Sequence, residues 1–510
     1  MRLRLFSLSL LWYLRVPIAA ALSPGSTRSD PPIPNIVWHE CPPQTPEGID
    51  CGSINVPLGY SPANSIDPVD NRTISLELTR LNSTGNALEK DVMFFNPGGP
   101  GISAAYFVIA STLDPSLAFS PSLREAYDII GLDPRGVGWS TPVQCDPDIY
   151  NERVSTFVND ATGYNALVNY GRRLSESCAE LTGPMINHLD TVHVAKDHEL
   201  VRRALQAPKL NYLGLSYGAQ LGPQYVSLFP EAVGRMALDA LVDHGQSETS
   251  TLLAEAVTYE ASLNQFFTWC DRNSSCALYG RNTMQVFDAL VAQADATPIP
   301  APGCDDACRS DVTGEEIRYN VQSYLRFIDL PLGRNWINLG TALAESSQGN
   351  ATMLSSELAT ETFSTRPDQS PFLYIALGCV DWLHQARSAI DLQQKLQMVR
   401  TFAPRSAGAS WTYTYQSRCL GWSAPVTNGQ TVLDKGVSKA PPILLVNSIY
   451  DPECSMAWAQ GLREQLPSGV SVTRNGHGHT SYFLQGETSE AINKFLSTGE
   501  MAEDGTIFQT

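Results

Sequence analysis

Short apolar runs alternate with amphipathic stretches through the first half of the chain. An apolar run ends in a turn rich in glycine and proline at residues 91–101, and similar runs end in turns at 127–140 and 210–218. Residues 190–206 have the apolar periodicity of an amphipathic helix, and Asp190 is placed to cap its N-terminus. Strands that alternate with helices at this spacing predict an α/β fold with a doubly wound, mostly parallel sheet.

Later segments divide the chain further. Residues 245–370 combine helical patterns with two short cysteine loops and a break rich in proline and alanine, which indicates a helical cap inserted into the sheet domain. Strand and turn patterns return after this stretch, clearest at 440–455. We therefore predict a core built from residues 22–244 and 371–510, with the cap between the two parts.

Residues 1–21 have the order of a signal peptide. Two arginines precede the apolar run Leu5–Leu14, and three small residues end at Ala21, where we expect cleavage. The sequence therefore predicts a secreted protein. Arg15 interrupts the apolar part, and an uncleaved anchor is the alternative.

Composition and charge narrow the range of partners. Of the 510 residues, 43% are hydrophobic and 17% are charged, which is typical of a globular protein. The formal net charge of -18 argues against binding to phosphate backbones or anionic membranes. We expect no nucleic-acid partner and no membrane contact after signal cleavage, and the composition leaves the oligomeric state open.

The eleven cysteines agree with export. The pairs 41/51, 270/276 and 304/308 are spaced for local disulfide loops, and an odd count leaves at least one thiol unpaired. The repeated C-x-x-C of a zinc site is missing from the sequence, so we expect no metal. Four sequons are predicted to carry glycans on a secretory route; they are Asn71, Asn82, Asn273 and Asn350.

A G-x-S-x-G motif at Gly214–Gly218 follows an apolar strand and precedes a helical pattern. Such a turn raises a serine where a base can take its proton, and the next residue donates its N–H to an oxyanion. We assign Ser216 as nucleophile and Tyr217 as one oxyanion donor, with a purely structural turn as the alternative. A second donor is expected in the upstream turn "NPGGPG", where proline has no N–H and Gly99 is the candidate.

The orienting acid should follow the serine along the chain. Asp451 comes directly after an apolar strand, where α/β sheets place active-site groups. Asp239 and Asp243, on the strand after the G-x-S-x-G turn, are its rivals. Another acid, Asp133, is expected to pair with Arg135 and fix a loop, with direct substrate binding as the alternative.

The base should follow the acid, and of the eight histidines only His477 and His479 do so. They lie two residues apart in a glycine-rich loop, so only one is expected to face Ser216, and we assign His479. An H-x-H metal site is the other functional reading, but it lacks a neighbouring carboxylate or cysteine to complete its shell.

These segments, in this order, resemble the tripeptidyl-aminopeptidase and proline-iminopeptidase branch of the α/β-hydrolases, the secreted type with a distinct C-terminal segment. The resemblance runs from about Trp38 to the C-terminus. In the first half it rests on "NPGGPG", "LDPRGVGWS", "YLGLSYGAQLG" and "RMALDALVDH". In the second half it rests on "CDRNSSCAL", "ALGCVDW", "LLVNSIYDPECS" and "GHGHTS".

The resemblance implies an α/β-hydrolase fold and a Ser-Asp-His triad of Ser216, Asp451 and His479. It also implies an oxyanion hole formed by Gly99 and Tyr217, and no cofactor. The family's base follows a glycine in a G-x-G-H pattern, which "GHGH" matches and which supports the choice between the two histidines.

The chain departs from the family pattern in three places. Pro452-Glu453-Cys454 follow the acid where threonine and proline are usual, and Val242-Asp243 is followed by His244 where the usual pattern is V-D-P. Relatives often close with a cysteine near the C-terminus, whereas this chain ends "GTIFQT", which implies that Cys454 is the unpaired thiol. The changes near the acid put the substrate preference in doubt more than the triad.

The implied activity is the release of amino acids or short peptides from peptide N-termini through an acyl-enzyme. The alternatives are hydrolysis or transacylation of a non-peptide ester or amide, and an inactive binding protein on the same fold. An exopeptidase needs a carboxylate for the substrate's α-ammonium. The predicted cap offers several acids and the sequence singles out none; they are Glu255, Glu260, Asp271, Glu315, Glu316 and Asp329.

Overall fold

The computed structural model describes residues 32–62, 64–85, 91–329, 334–360 and 370–509. The expected signal peptide lies outside these residues. Residues 33–510 form one compact unit. The strands of the described residues are β1 (Val37–His39), β2 (Ile49–Pro57), β3 (Thr73–Leu81), β4 (Asp91–Asn96), β5 (Tyr127–Leu132), β6 (Leu210–Leu215), β7 (Val233–Asp239), β8 (Ile299–Pro300), β9 (Asp311–Val312), β10 (Ile443–Tyr450), β11 (Gly469–His477) and β12 (Thr506–Gln509).

Ten of these strands form one sheet in the order β1-β2-β3-β5-β4-β6-β7-β10-β11-β12. The pairs from β1 to β5 are antiparallel, and the pairs from β5 to β12 are parallel. Every residue of the central strand β6 is buried, as expected where helices cover both faces of a parallel sheet. The predicted α/β fold with a mostly parallel sheet is confirmed.

Helices connect the parallel strands and cover the sheet. The helix α5 begins after Asp190, whose side chain accepts a hydrogen bond from the His193 N–H, as the sequence predicted. The helices are α1 (Ala104–Ala110), α2 (Pro121–Ala126), α3 (Pro147–Tyr150), α4 (Ala161–Thr182), α5 (Thr191–Ala204), α6 (Tyr217–Leu228), α7 (Glu248–Arg272), α8 (Thr283–Ala296), α9 (Gly314–Tyr324), α10 (Trp336–Ser346), α11 (Pro371–Asp381), α12 (Ala389–Phe402), α13 (Trp411–Arg418), α14 (Met456–Gln465) and α15 (Glu487–Thr498).

Helices α7 to α10 build a hydrophobic core of their own. Tyr259, Phe266 and Trp336 are among its buried members, and this cluster is separate from the clusters around the large sheet. Three more helices, α11 to α13, follow before β10 returns to the sheet. We call the described residues between 245 and 360 the helical region; its role as a cap, with the predicted boundaries, stays a prediction.

Five disulfides join cysteines of the described residues, and they include the three local pairs that the spacing predicted. Cys454 is unpaired and buried, which confirms the prediction for the odd thiol. None of the described helices combines the length and the apolar character needed to cross a membrane. The disulfides are Cys41–Cys51, Cys145–Cys178, Cys270–Cys276, Cys304–Cys308 and Cys379–Cys419.

The predicted pair between Asp133 and Arg135 is wrong. Asp133 accepts hydrogen bonds from the Ser103 hydroxyl and from backbone N–H groups, and burial raises its pKa to about 7. Arg135 instead binds both carboxylate oxygens of Asp197 on α5, each at 2.8 Å. Asp133 and Arg135 are both fully buried, and each binds partners on other elements, so the two side chains fix different parts of the structure rather than each other.

Candidate active site

Ser216 forms the sharp turn between β6 and α6. Its backbone has φ 57° and ψ −116°, a conformation that residues other than glycine rarely adopt. A Cβ on Gly214 would lie 2.5 Å from the Gly218 carbonyl oxygen, and one on Gly218 would lie 2.6 Å from the Asn96 carbonyl oxygen. Close backbone packing therefore requires both glycines of the G-x-S-x-G motif, and the packed turn holds the serine at the end of the strand.

The two predicted oxyanion donors lie beside this serine. Gly99 and Tyr217 line the same cavity as Ser216. The Gly98 N–H donates to Asn96 Oδ1 at 2.9 Å, whereas the N–H groups of Gly99 and Tyr217 donate to no acceptor among the described residues. Two uncommitted N–H groups next to a serine are what an oxyanion hole requires.

Asp451 and His479 are brought together at the ends of β10 and β11. His479 Nδ1 lies 2.9 Å from each carboxylate oxygen of Asp451, which is fully buried. Oδ1 of Asp451 also accepts from the N–H groups of Glu453 and Cys454, both at 2.8 Å. Burial opposes protonation of His479, but the carboxylates of Asp451 and Glu453 outweigh burial and raise its pKa.

The rival residues lie elsewhere. The His477 ring packs against Tyr450 at 5.0 Å and against Trp336 at 5.2 Å between centroids, and burial lowers its pKa. Asp239 accepts from the N–H groups of Ser481 and Tyr482, so it fixes the loop that follows His479. Asp243 lies in the loop after β7 rather than on the strand, and it accepts from Gln465 Nε2 at 2.7 Å and from the Gly245 N–H.

Glu453 is a site residue whose contacts sequence reasoning missed. Its Oε2 lies 3.4 Å from His479 Nε2, while the Ser216 hydroxyl makes no hydrogen bond to that ring among the described residues. Arg326 binds the Glu453 carboxylate at 2.6 and 3.2 Å, and Trp411 Nε1 donates to it at 3.0 Å. The signal in the sequence was the unusual residues after the acid, Pro452-Glu453-Cys454.

We call the cavity of about 100 Å³ next to Ser216 the Ser216 cavity. Aromatic side chains form much of its wall, and Glu255 is the one predicted cap acid among the described residues that lines it. Glu255 accepts from Gln322 Nε2 and from the backbone N–H groups of Trp411 and Thr412, at 2.8 to 3.0 Å. A larger cleft of about 930 Å³ shares Tyr374 and Trp411 with the Ser216 cavity.

Three groups that could bind a metal lie close together at this site. Ligand atoms of Asp451, Cys454 and His479 all lie within 4.8 Å of one another. Both Asp451 oxygens are already bound by His479 and by backbone N–H groups, and burial raises the pKa of the Cys454 thiol, which keeps its proton. The donor set suits an acid–base pair better than a metal centre.

The four sequon asparagines lie at or near the surface, with Asn71 exposed and the other three partly buried. Asn82 Nδ2 donates to Asp50 Oδ2 at 3.1 Å, a bond that a glycan would have to replace. Glycosylation stays a prediction.

Two family models match the chain. The model described as alpha/beta hydrolase fold matches residues 91–298, and the model described as TAP-like protein matches residues 403–507. The first match contains the strands β4 to β7 and Ser216. The second contains β10 and β11, with Asp451 and His479.

Curated relatives cover most of the chain. A tripeptidyl aminopeptidase of Streptomyces coelicolor is 26% identical over 476 residues, which are 91% of this chain and 83% of that protein. The serine protease Hip1 of Mycobacterium bovis is 27% identical over 494 residues, 92% of this chain and 90% of that protein. A solved proline iminopeptidase of Mycobacterium smegmatis is 14% identical with a TM-score of 0.37, and the match covers 87% of this chain and 97% of that one.

Proposed function

We propose that this chain, which belongs to the α/β-hydrolases and carries their TAP-like C-terminal segment, is a serine exopeptidase that releases amino acids or short peptides from peptide N-termini. The observation that carries the proposal is the buried His479–Asp451 pair. It follows β10 and β11 at the same edge of the sheet where the Ser216 turn follows β6. The names of the relatives support peptidase chemistry, and the disulfides are consistent with work in an oxidising compartment.

In the proposed reaction Ser216 Oγ attacks the scissile carbonyl, and His479 Nε2 takes the hydroxyl proton. Asp451 holds Nδ1–H and stabilises the imidazolium, while the N–H groups of Gly99 and Tyr217 bind the oxyanion. The imidazolium then gives its proton to the leaving amine. Water, deprotonated by the same histidine, hydrolyses the acyl-enzyme and returns the proton to Ser216.

Glu255 supports the assignment as an exopeptidase. Its carboxylate is buried beside the Ser216 cavity, where burial raises its pKa, and its bonds come from neutral groups. No lysine, arginine or histidine of the described residues lies within ion-pair distance of it. A buried carboxylate without a cationic partner is suited to bind the α-ammonium of a substrate.

Turnover of matched substrates tests the proposal. We expect the wild type to hydrolyse aminoacyl- or tripeptidyl-arylamides and to react with a fluorophosphonate, and Ser216→Ala to lose both. Glu255→Gln should raise KM for substrates with a free α-amine by about tenfold or more, since a hydrogen bond to a charged group contributes about 1.5 to 3 kcal/mol. N-acetylated forms of the same substrates should be unaffected. Rapid ester turnover without arylamide turnover would favour the non-peptide alternative.

One observation favours the inactive-binding-protein alternative: Ser216 and His479 share no hydrogen bond among the described residues. Catalytic hydrogen bonds are often long in a free enzyme and tighten when substrate binds, so this geometry is compatible with an active enzyme. Absence of fluorophosphonate labelling of a folded wild type would establish the inactive alternative.

A further inference from the structure

The His479 ring lies between two carboxylates. Asp451 binds Nδ1 at 2.9 Å, and Glu453 Oε2 lies 3.4 Å from Nε2. A doubly protonated imidazolium offers an N–H at both nitrogens and satisfies both carboxylates. A neutral ring that donates Nδ1–H to Asp451 has a lone pair at Nε2, which a carboxylate repels. The observed arrangement therefore favours the charged form of His479.

Glu453 is held in this position by elements far apart in the chain. It is 7% exposed, and its own N–H donates to Asp451 Oδ1. Arg326 of the helical region binds both of its oxygens, and Trp411 at the start of α13 donates to Oε1. The carboxylate is thus fixed by three directed contacts besides the histidine.

We propose that Glu453 is a positioning residue that holds His479 in a charged resting orientation, and that Nε2 must leave Glu453 and turn to Ser216 before the base can act. This inference rests on the proposed function. Ser216 and Glu453 both line the Ser216 cavity, and in the proposal they compete for the same ring nitrogen of His479. The charge of Glu453 therefore sets the pH range in which the free enzyme is competent.

The other charged and titratable groups around the ring have defined effects. Arg326 opposes protonation of His479, and its carbonyl accepts from the His479 N–H at 2.8 Å. The Cys454 thiol, close to both Asp451 and His479, stays protonated and neutral because burial raises its pKa. Arg474 of β11 is directed at carbonyl groups of the histidine loop and at Ser481, and not at the ring. The balance lies between two carboxylates and Arg326.

The pH dependence of inactivation by an uncharged fluorophosphonate tests this inference without a substrate. The second-order rate constant reports Ser216 and its base in the free enzyme, and its acidic limb should follow His479. In Glu453→Gln we expect the midpoint of that limb to fall by about one pH unit or more, because an adjacent opposite charge is removed. Glu453→Asp keeps the charge and should retain part of the wild-type midpoint.

Two further variants test the direction in which the midpoint of the acidic limb moves. Arg326→Gln removes the opposing charge and should move the midpoint upward, and it tests the inference independently if Glu453→Gln does not fold. Glu464→Gln removes an exposed carboxylate that binds Gln460, and it should leave the midpoint at the wild-type value.

The outcomes separate the inference from the proposed function. Folded Glu453→Gln with the wild-type midpoint would overturn the inference, as would a downward movement in Arg326→Gln. A wild type that reacts at no pH would overturn the proposed function instead.

Discussion

Among the described residues, two histidines bind buried aspartates through similar bonds but in different surroundings. His193 Nδ1 lies 2.7 Å from Asp190 Oδ2, and His479 Nδ1 lies 2.9 Å from Asp451. Each aspartate is almost completely buried and accepts further hydrogen bonds. Both aspartates bind Nδ1 of their histidine in the same way, so such a bond does not by itself identify an active site.

The difference lies at the second ring nitrogen. His193 Nε2 is 3.1 Å from His188 Nδ1, so its second ring nitrogen faces another histidine. Burial, followed by the charge of His193, lowers the pKa of His188 to about 4, so the neighbour is neutral near pH 7. His479 instead presents Nε2 to Glu453, on the wall of the cavity that contains Ser216. Access to a reactive group, rather than the aspartate, separates a proposed base from a structural histidine.

Replacing each histidine by alanine should separate the pairs most strongly. His479→Ala should lower kcat by about 10⁴- to 10⁶-fold, since it removes the proposed base. His193→Ala should keep kcat within about tenfold and destabilise the fold by about 1 to 3 kcal/mol. Arylamide turnover and calorimetry measure the two effects.

His477→Ala is the matched control for the loop, because it removes the neighbouring histidine that packs on Tyr450 and makes no bond to Asp451. It should leave far more activity than His479→Ala. The reverse order would show that His477 is the base.

Changing each aspartate to asparagine should have a smaller effect on catalysis than removing its histidine, and only the change at Asp451 should lower kcat. Asp451→Asn should lower kcat by about 10⁴-fold, because the ring loses the acceptor that fixes its tautomer. Asn caps helices about as well as Asp, so Asp190→Asn should leave the start of α5 intact and weaken the bonds of Oδ2 to His193 and Thr427. Its kcat should stay near that of the wild type. Equal losses in the two variants would end the distinction between the pairs.

Acid should destabilise the His193 site through His188. The folded pKa of His188, about 4, lies below its ordinary value of 6.5, so its stabilising contribution is complete above pH 6.5 and is lost as pH falls through 4. Because His188 is only half-buried, solvent screening keeps the contribution well below the roughly 3 kcal/mol that the full shift would give. Thermal midpoints of the wild type should fall across this window, and His188→Gln should flatten that part of the curve. Parallel curves would contradict the assignment.

Local backbone geometry and strand order explain which site residues could be predicted from the sequence. The G-x-S-x-G spacing reflects backbone contacts within one turn, which exclude a Cβ at Gly214 and Gly218, and it identified Ser216 before any fold was known. Asp451 and His479 follow from the order of strands in the sheet, since both come directly after parallel strands. Their catalytic roles stay predictions.

Long-range contacts explain which features of the site and the fold could not be predicted from the sequence. The bond between Glu453 and Arg326 joins residues 127 positions apart, and the Arg135–Asp197 pair joins residues 62 apart. Glu255 differs from the other predicted acids only through its place beside the Ser216 cavity. Residue types and spacing do not predict such contacts, because the contacts form only when segments far apart in the chain pack together.

The hydrogen bond from the His479 N–H to the Arg326 carbonyl connects the backbone of the helical region directly to the histidine loop. A Cβ on the adjacent Gly478 would lie 2.5 Å from the same carbonyl oxygen, so the two backbones are in direct contact. A displacement of Arg326 would therefore shift the backbone of His479 as well. Under the proposed function, a tilt of the helical region that admits a larger substrate would therefore also move the proposed base.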